Sequence, residues 1–179
     1  MRERGKNATR RLTAAALASA LGVVLLSLGS LLQVLDLSMA ALASFLVVFG
    51  VIELGGCYPY LIYAVTAFLG MLLVPIKTAP LVYLAFAGYY PILKAALERY
   101  LPRFWGWVVK CAVFNLALFA SLWLGRELIL SEIPPEWHPY WWALFALTPI
   151  FWLYDLALTR VITAYLVRWR ARLRLPKLR

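Results

Sequence analysis

The chain has 179 residues, 64% of them hydrophobic and only 15% charged, which is more apolar surface than a soluble domain of this length can bury. Its formal net charge of +10 does not point to nucleic acid, because the basic residues are not interleaved with aromatics on any polar segment. The apolar residues run continuously instead of alternating, which favours an all-α integral membrane protein over a β-barrel.

Charge, proline and glycine divide the chain into six apolar segments, at about 12–35, 37–54, 58–74, 79–97, 104–124 and 140–166. Each is close to the ~20 residues that a helix needs to cross a bilayer. The expectation is a single membrane domain, a six-transmembrane-helix bundle, with residues 167–179 as a basic cytoplasmic tail. Counting Lys and Arg in the short connections puts both termini on the cytoplasmic side, N-in and C-in. The opposite side then receives only Lys77 and Arg126. A bacterial plasma membrane is the expected location, and the lipid bilayer the first partner.

The first segment follows Arg10 and Arg11 and carries Ala14, Ala18 and Gly22 at intervals of four, a smooth stripe along one face of a helix. It is too long for the apolar region of a signal peptide, and more spans follow it. The second segment closes on Glu53 before the turn Gly55-Gly56, and the third is joined to the fourth by Pro75-Ile76-Lys77-Thr78. The fourth contains Gly88-Tyr89-Tyr90-Pro91-Ile92-Leu93-Lys94, where Pro91 predicts a kink beside two tyrosine hydroxyls. Residues 98–103 read as a short connection. The fifth segment holds Lys110 and also Asn115, expected to hydrogen-bond a neighbouring helix. A longer loop, 125–139, precedes the sixth, which carries Pro149, Asp155 and Arg160.

No enzyme is expected. The one histidine, His138, has no second ligand near it, and Cys57 and Cys111 show no metal or redox spacing, so the chain predicts no catalytic residues, no metal and no cofactor. Two groups of side chains remain as candidates. Glu53, Lys94, Lys110, Asp155 and Arg160 fall within or at the edge of the hydrocarbon, where an unpaired charge is costly, so they should face one another or reach the headgroups. A pairing such as Lys110 with Asp155 fits their near balance of sign. Lys77, Tyr83, Arg126, Trp137, His138, Trp141 and Trp142 could line a pocket for an unidentified small molecule at the opposite side. Lys77 and Arg126 would suit a carboxylate or phosphate, and pairing with nearby glutamates explains them equally well.

The six-span layout, the basic N-terminus running into a first helix with Ala14-x-x-x-Ala18, and the short hairpins resemble the substrate-binding S components of bacterial energy-coupling factor (ECF) importers. That resemblance implies a substrate-capture subunit for a vitamin or other small molecule. Ala14, Ala18 and Gly22 would then dock on a coupling subunit that works with two ATPases. Two other readings stand beside it. One is a non-transport assembly or scaffold protein of the cell envelope that uses the basic tail and the inner charge cluster; the other is a small homodimeric secondary carrier that uses its intramembrane charges for ion coupling.

Overall fold

The computed structural model describes residues 2–32, 35–100, 102–124 and 140–169, with side chains over 8–32, 35–100, 102, 105–119 and 148–167. Every regular element among them is helical. The helices are α1 (Arg2–Leu32), α2 (Asp36–Leu54), α3 (Tyr58–Leu73), α4 (Thr78–Tyr100), α5 (Arg103–Leu124) and α6 (Tyr140–Ala164, extended by a π-helical turn over Tyr165–Trp169). Among the described residues, four stretches are long and apolar enough to cross a membrane: Ala8–Leu32, Asp36–Leu54, Thr78–Tyr100 and Thr148–Val167. The apolar helix Tyr58–Leu73 is shorter, and Trp105–Phe119 is the apolar part of α5 whose side chains are described.

The faces of α1 explain its packing. Leu17, Leu21, Val24, Leu28 and Leu31 recur at helical spacing and are exposed, the pattern of a lipid-facing stripe. The opposite face carries Ala15, Ala18, Ser19, Gly22, Leu26 and Ser30, and this face lies against α2 and α3. The small residues are needed there because the helices approach closely. A Cβ on Gly22 would stand 2.8 Å from Thr66 Cγ2, and one on Gly29 would stand 2.9 Å from Met39 Cβ. Without a hydrophobic drive between helices in lipid, such van der Waals contact is what holds them together.

Two cores share α2 and α4 as a common wall. The first joins α1, α2, α3 and the start of α4 around Ala18, Leu26, Ala43, Val47, Ile62 and Tyr83. The second lies on the other side and gathers Val48, Tyr90, Phe114, Phe151 and Leu158. Adjacent residues of α2, Val47 and Val48, therefore serve different cores.

Connections follow local chemistry. Gly55 and Gly56 turn the chain at φ 64° and 58°, in the left-handed region that glycine enters without a Cβ clash. At the α3–α4 end, the Ile76 amide donates to Ser30 Oγ and Thr78 Oγ1 donates to Asp36 Oδ2 at 2.6 Å, tying the connection to α1 and α2.

The main departure from the sequence expectation is in α4. Residues 98–100 were expected in a connection, but the helix runs through them to Tyr100, which places Glu98 one turn beyond Lys94 on the same face. α4 is also irregular inside, with a π-helical turn over Tyr83–Ala87 followed by Gly88 and Pro91. The Gly88 amide bonds the Tyr83 carbonyl five residues back instead of Leu84, and the Leu84 carbonyl accepts the Tyr63 hydroxyl of α3 at 2.9 Å. Pro91 offers no amide to the Ala87 carbonyl, and the Tyr154 hydroxyl of α6 lies 3.4 Å from it.

Because the α1–α3 contact admits no Cβ at Gly22, Gly22→Leu should destabilise the protein by about 1–3 kcal/mol, the usual range for overpacking a tight site. Thermal unfolding of the purified protein in detergent checks this. A wild-type midpoint would contradict the close packing.

Candidate functional site

Of the five intramembrane charges picked out in the sequence, three meet. Lys94 comes from α4, Lys110 from α5 and Asp155 from α6, and each side chain is almost completely buried. Glu98, one turn after Lys94, joins them and completes a set of two cations and two anions. The formal charge of the cluster is zero.

Lys94 is at its centre. Its ammonium has three protons and three acceptors: Asp155 Oδ1 at 2.5 Å, Glu98 Oε1 at 3.0 Å and Thr159 Oγ1 at 2.9 Å. Thr159 in turn donates to the Asp155 backbone carbonyl at 2.7 Å, so its hydroxyl is oriented to accept from Lys94. Lys110 bonds Glu98 Oε1 at 2.8 Å, stands 3.7 Å from Asp155 Oδ1 and lies 5.6 Å from the centre of the Trp107 ring. The expected Lys110–Asp155 pair is thus present, and the closer partner of Asp155 is Lys94.

Asp155 Oδ1 also accepts the Tyr90 hydroxyl at 2.5 Å. Tyr90 is fully buried and forms one side of an aromatic cage. Phe86 lies 4.7 Å from it, 5.0 Å from Phe114, 5.6 Å from Phe151 and 5.7 Å from Tyr154, all between ring centroids. Phe114 and Phe151 stack at 4.5 Å. The cage excludes water from one side of the carboxylate, and in such surroundings a charge–charge contact is far stronger than in solution.

The other two charges lie elsewhere. Glu53, buried at the end of α2, accepts the Tyr165 hydroxyl of α6 at 3.2 Å, and Arg160 is exposed on α6. The Asn115 side-chain amide, expected to bond a neighbouring helix, donates to the Cys111 carbonyl one turn back in its own helix, at 2.9 Å. The reason is geometric, since a short amide near a helical carbonyl finds its partner locally.

The proposed coupling stripe lies inside the chain. Ala18 and Gly22 are buried, and Ala14 is half-buried against the first core. These residues face α2 and α3, so in this arrangement the stripe is already occupied. Among the proposed pocket residues, Lys77 is engaged by α3. Its ammonium donates to the carbonyls of Met71 and Val74 at 2.7 and 2.6 Å, where a helix end leaves acceptors unfilled. Tyr83 lies in the first core next to Tyr63, with ring centroids 6.0 Å apart. Arg126, Trp137 and His138 lie outside the described residues, as do the side chains of Trp141 and Trp142.

Sequence reasoning missed Glu98, because an acid near the end of an apolar run looks like its boundary. The signal was its spacing of four from Lys94, which brings the two side chains together on a helix. Among the described residues no group of three His, Cys, Asp or Glu side chains converges as a metal site. Compared with known protein families, curated proteins and solved structures, the chain has no match.

Removing one member of a buried ion pair leaves its partner uncompensated, at a cost of about 3–5 kcal/mol. Lys94→Met and Asp155→Asn should therefore each destabilise strongly. The double variant, which keeps Lys110 with Glu98 and restores neutrality, should lose clearly less than the sum. Denaturant unfolding in mixed micelles measures all three, and additive losses would contradict the coupling.

Proposed function

We propose that this chain is a small multi-pass membrane carrier whose working centre is the Lys94–Glu98–Lys110–Asp155 network. The observation that supports this reading is the burial of Lys94 and Asp155 in contact at a junction of three helices. A bundle that needed only cohesion would gain little from them, because apolar side chains of similar volume often hold a core equally well or better. Ionisable groups inside membrane helices mark ion and substrate paths. Irregular backbone close to the network adds to the argument. The π turn, Gly88 and Pro91 precede Lys94 in the same helix, and such breaks in a helical ladder concentrate where helices bend in operation.

In this reading all six helices span a bacterial plasma membrane with both termini in the cytoplasm, as the Lys and Arg distribution favours. The network then sits toward the cytoplasmic side. The importer form of a transport role, an ECF-type capture subunit, would have to meet its coupling partner with a face other than Ala14, Ala18 and Gly22. The carrier form, expected as a homodimer, asks for no partner other than a second copy of this chain.

The test is movement coupled to a gradient. Proteoliposomes containing a pH-sensitive dye are challenged with a panel of small carboxylates, phosphates and amines. The wild type should give a dye response to at least one compound, and Asp155→Asn, inserted in equal amount, should give less than a tenth of it. A silent wild type across the panel, or an equal response from the variant, would contradict the carrier.

A further inference from the structure

Glu98 differs from the other members of the network in one respect. Its side chain is 53% exposed, whereas those of Lys94, Lys110 and Asp155 are 2%, 6% and 4% exposed. Both ammonium groups bond the same atom, Glu98 Oε1, at 3.0 and 2.8 Å. A single carboxylate oxygen, on a side chain half exposed at the protein surface, therefore caps two buried cations carried by different helices.

Without Glu98 the network would hold two positive charges and one negative. Lys94 would keep Asp155 and Thr159, while Lys110 would keep Asp155 at 3.7 Å and the Trp107 ring, over whose centroid it lies at 5.6 Å. An excess buried ammonium is costly, and an anion of the right size would neutralise it. The position now filled by Glu98 Oε1 lies within hydrogen-bonding distance of both lysines, and the side chain that fills it is half exposed at the protein surface; two buried cations sharing one acceptor of that kind have the properties of an anion site.

We propose that Glu98 stands in for a ligand, and that Lys94 and Lys110 together bind a small anion carrying a carboxylate or phosphate group, which exchanges with the Glu98 side chain. This deepens the carrier reading by naming the class of its substrate. Its test reads binding and not movement, so the two can fail separately. In transport terms, the exchange keeps the buried network neutral in both states when the substrate group is singly charged, a carboxylate or a monovalent phosphate: Glu98 neutralises the empty site and the substrate anion neutralises the loaded one.

The experiment removes the internal carboxylate and supplies an external one. Purified Glu98→Ala is unfolded thermally in sodium acetate, in sodium phosphate and in sodium chloride at equal ionic strength. In chloride it should unfold several degrees below the wild type, and acetate or phosphate should recover at least half of that loss with a saturating concentration dependence. Recovery by acetate alone assigns a carboxylate substrate, and recovery by phosphate alone a phosphate. Glu98→Gln, which keeps the side-chain volume, should behave in the same way and serves if the alanine variant fails to fold. Lys110→Met/Glu98→Ala keeps the neutral Lys94–Asp155 pair but lacks the second cation, so it should fold and show no recovery. The same anion response from this double variant, or no response from either Glu98 variant, would overturn the proposal.

Discussion

Neutralising charge away from water is the constraint on which the second half of this structure depends. Lys94, Lys110 and Asp155 are nearly inaccessible, and each is a charge that apolar surroundings tolerate only with a partner. They come from three helices that have different neighbours in sequence, so satisfying them fixes how α4, α5 and α6 meet. Packing alone fixes this less well. The aromatic cage of Phe86, Tyr90, Phe114 and Phe151 offers cohesion, but rings can slide over one another at modest cost, whereas an ammonium with three acceptors cannot leave one without losing a bond.

The first half of the bundle is built on a different principle. There the helices come together through missing side-chain volume, at Ala15, Ala18, Gly22 and Gly29 of α1 and Gly70 of α3. α4 belongs to both halves, and its irregular middle is where they join. Two carbonyls in that stretch meet tyrosine hydroxyls from opposite sides, Leu84 from Tyr63 and Ala87 from Tyr154. Tyr154 also donates to Ser44 of α2 at 2.9 Å and precedes Asp155 in the chain. The distortion of α4, the seam with α2 and the charged centre are thus connected through neighbouring residues of α6.

Much of this was legible in the sequence, for reasons particular to each residue. The all-helical architecture follows from continuous apolar runs, and the turn at Gly55-Gly56 follows from glycine's freedom at positive φ. Lys94, Lys110 and Asp155 could be grouped because charges in apolar runs must find partners. The direction of the α1 stripe was not legible: Ala14, Ala18 and Gly22 mark a close contact, but only the positions of Thr66 and Leu46 reveal that the contact is internal. Lys77 was read as a possible ligand because its charge stood alone, while its partners are backbone carbonyls, which no residue type announces. Glu98 was hidden by the habit of ending a span at its first acid, although a helix can continue through an acid that has cations one turn back and on the next helix.

The account rests on Asp155 being an ionised carboxylate held between ammonium groups inside the bundle. Isotope-edited infrared spectroscopy measures that state directly: the protein is labelled with carbon-13 at its aspartate carboxyl groups, placed in lipid vesicles at neutral pH, and compared with an identically labelled Asp155→Asn sample. With only Asp36 as the other aspartate in the chain, the assignment is unambiguous. The account predicts that the difference spectrum loses a carboxylate band; loss of a protonated carboxylic-acid band would contradict it.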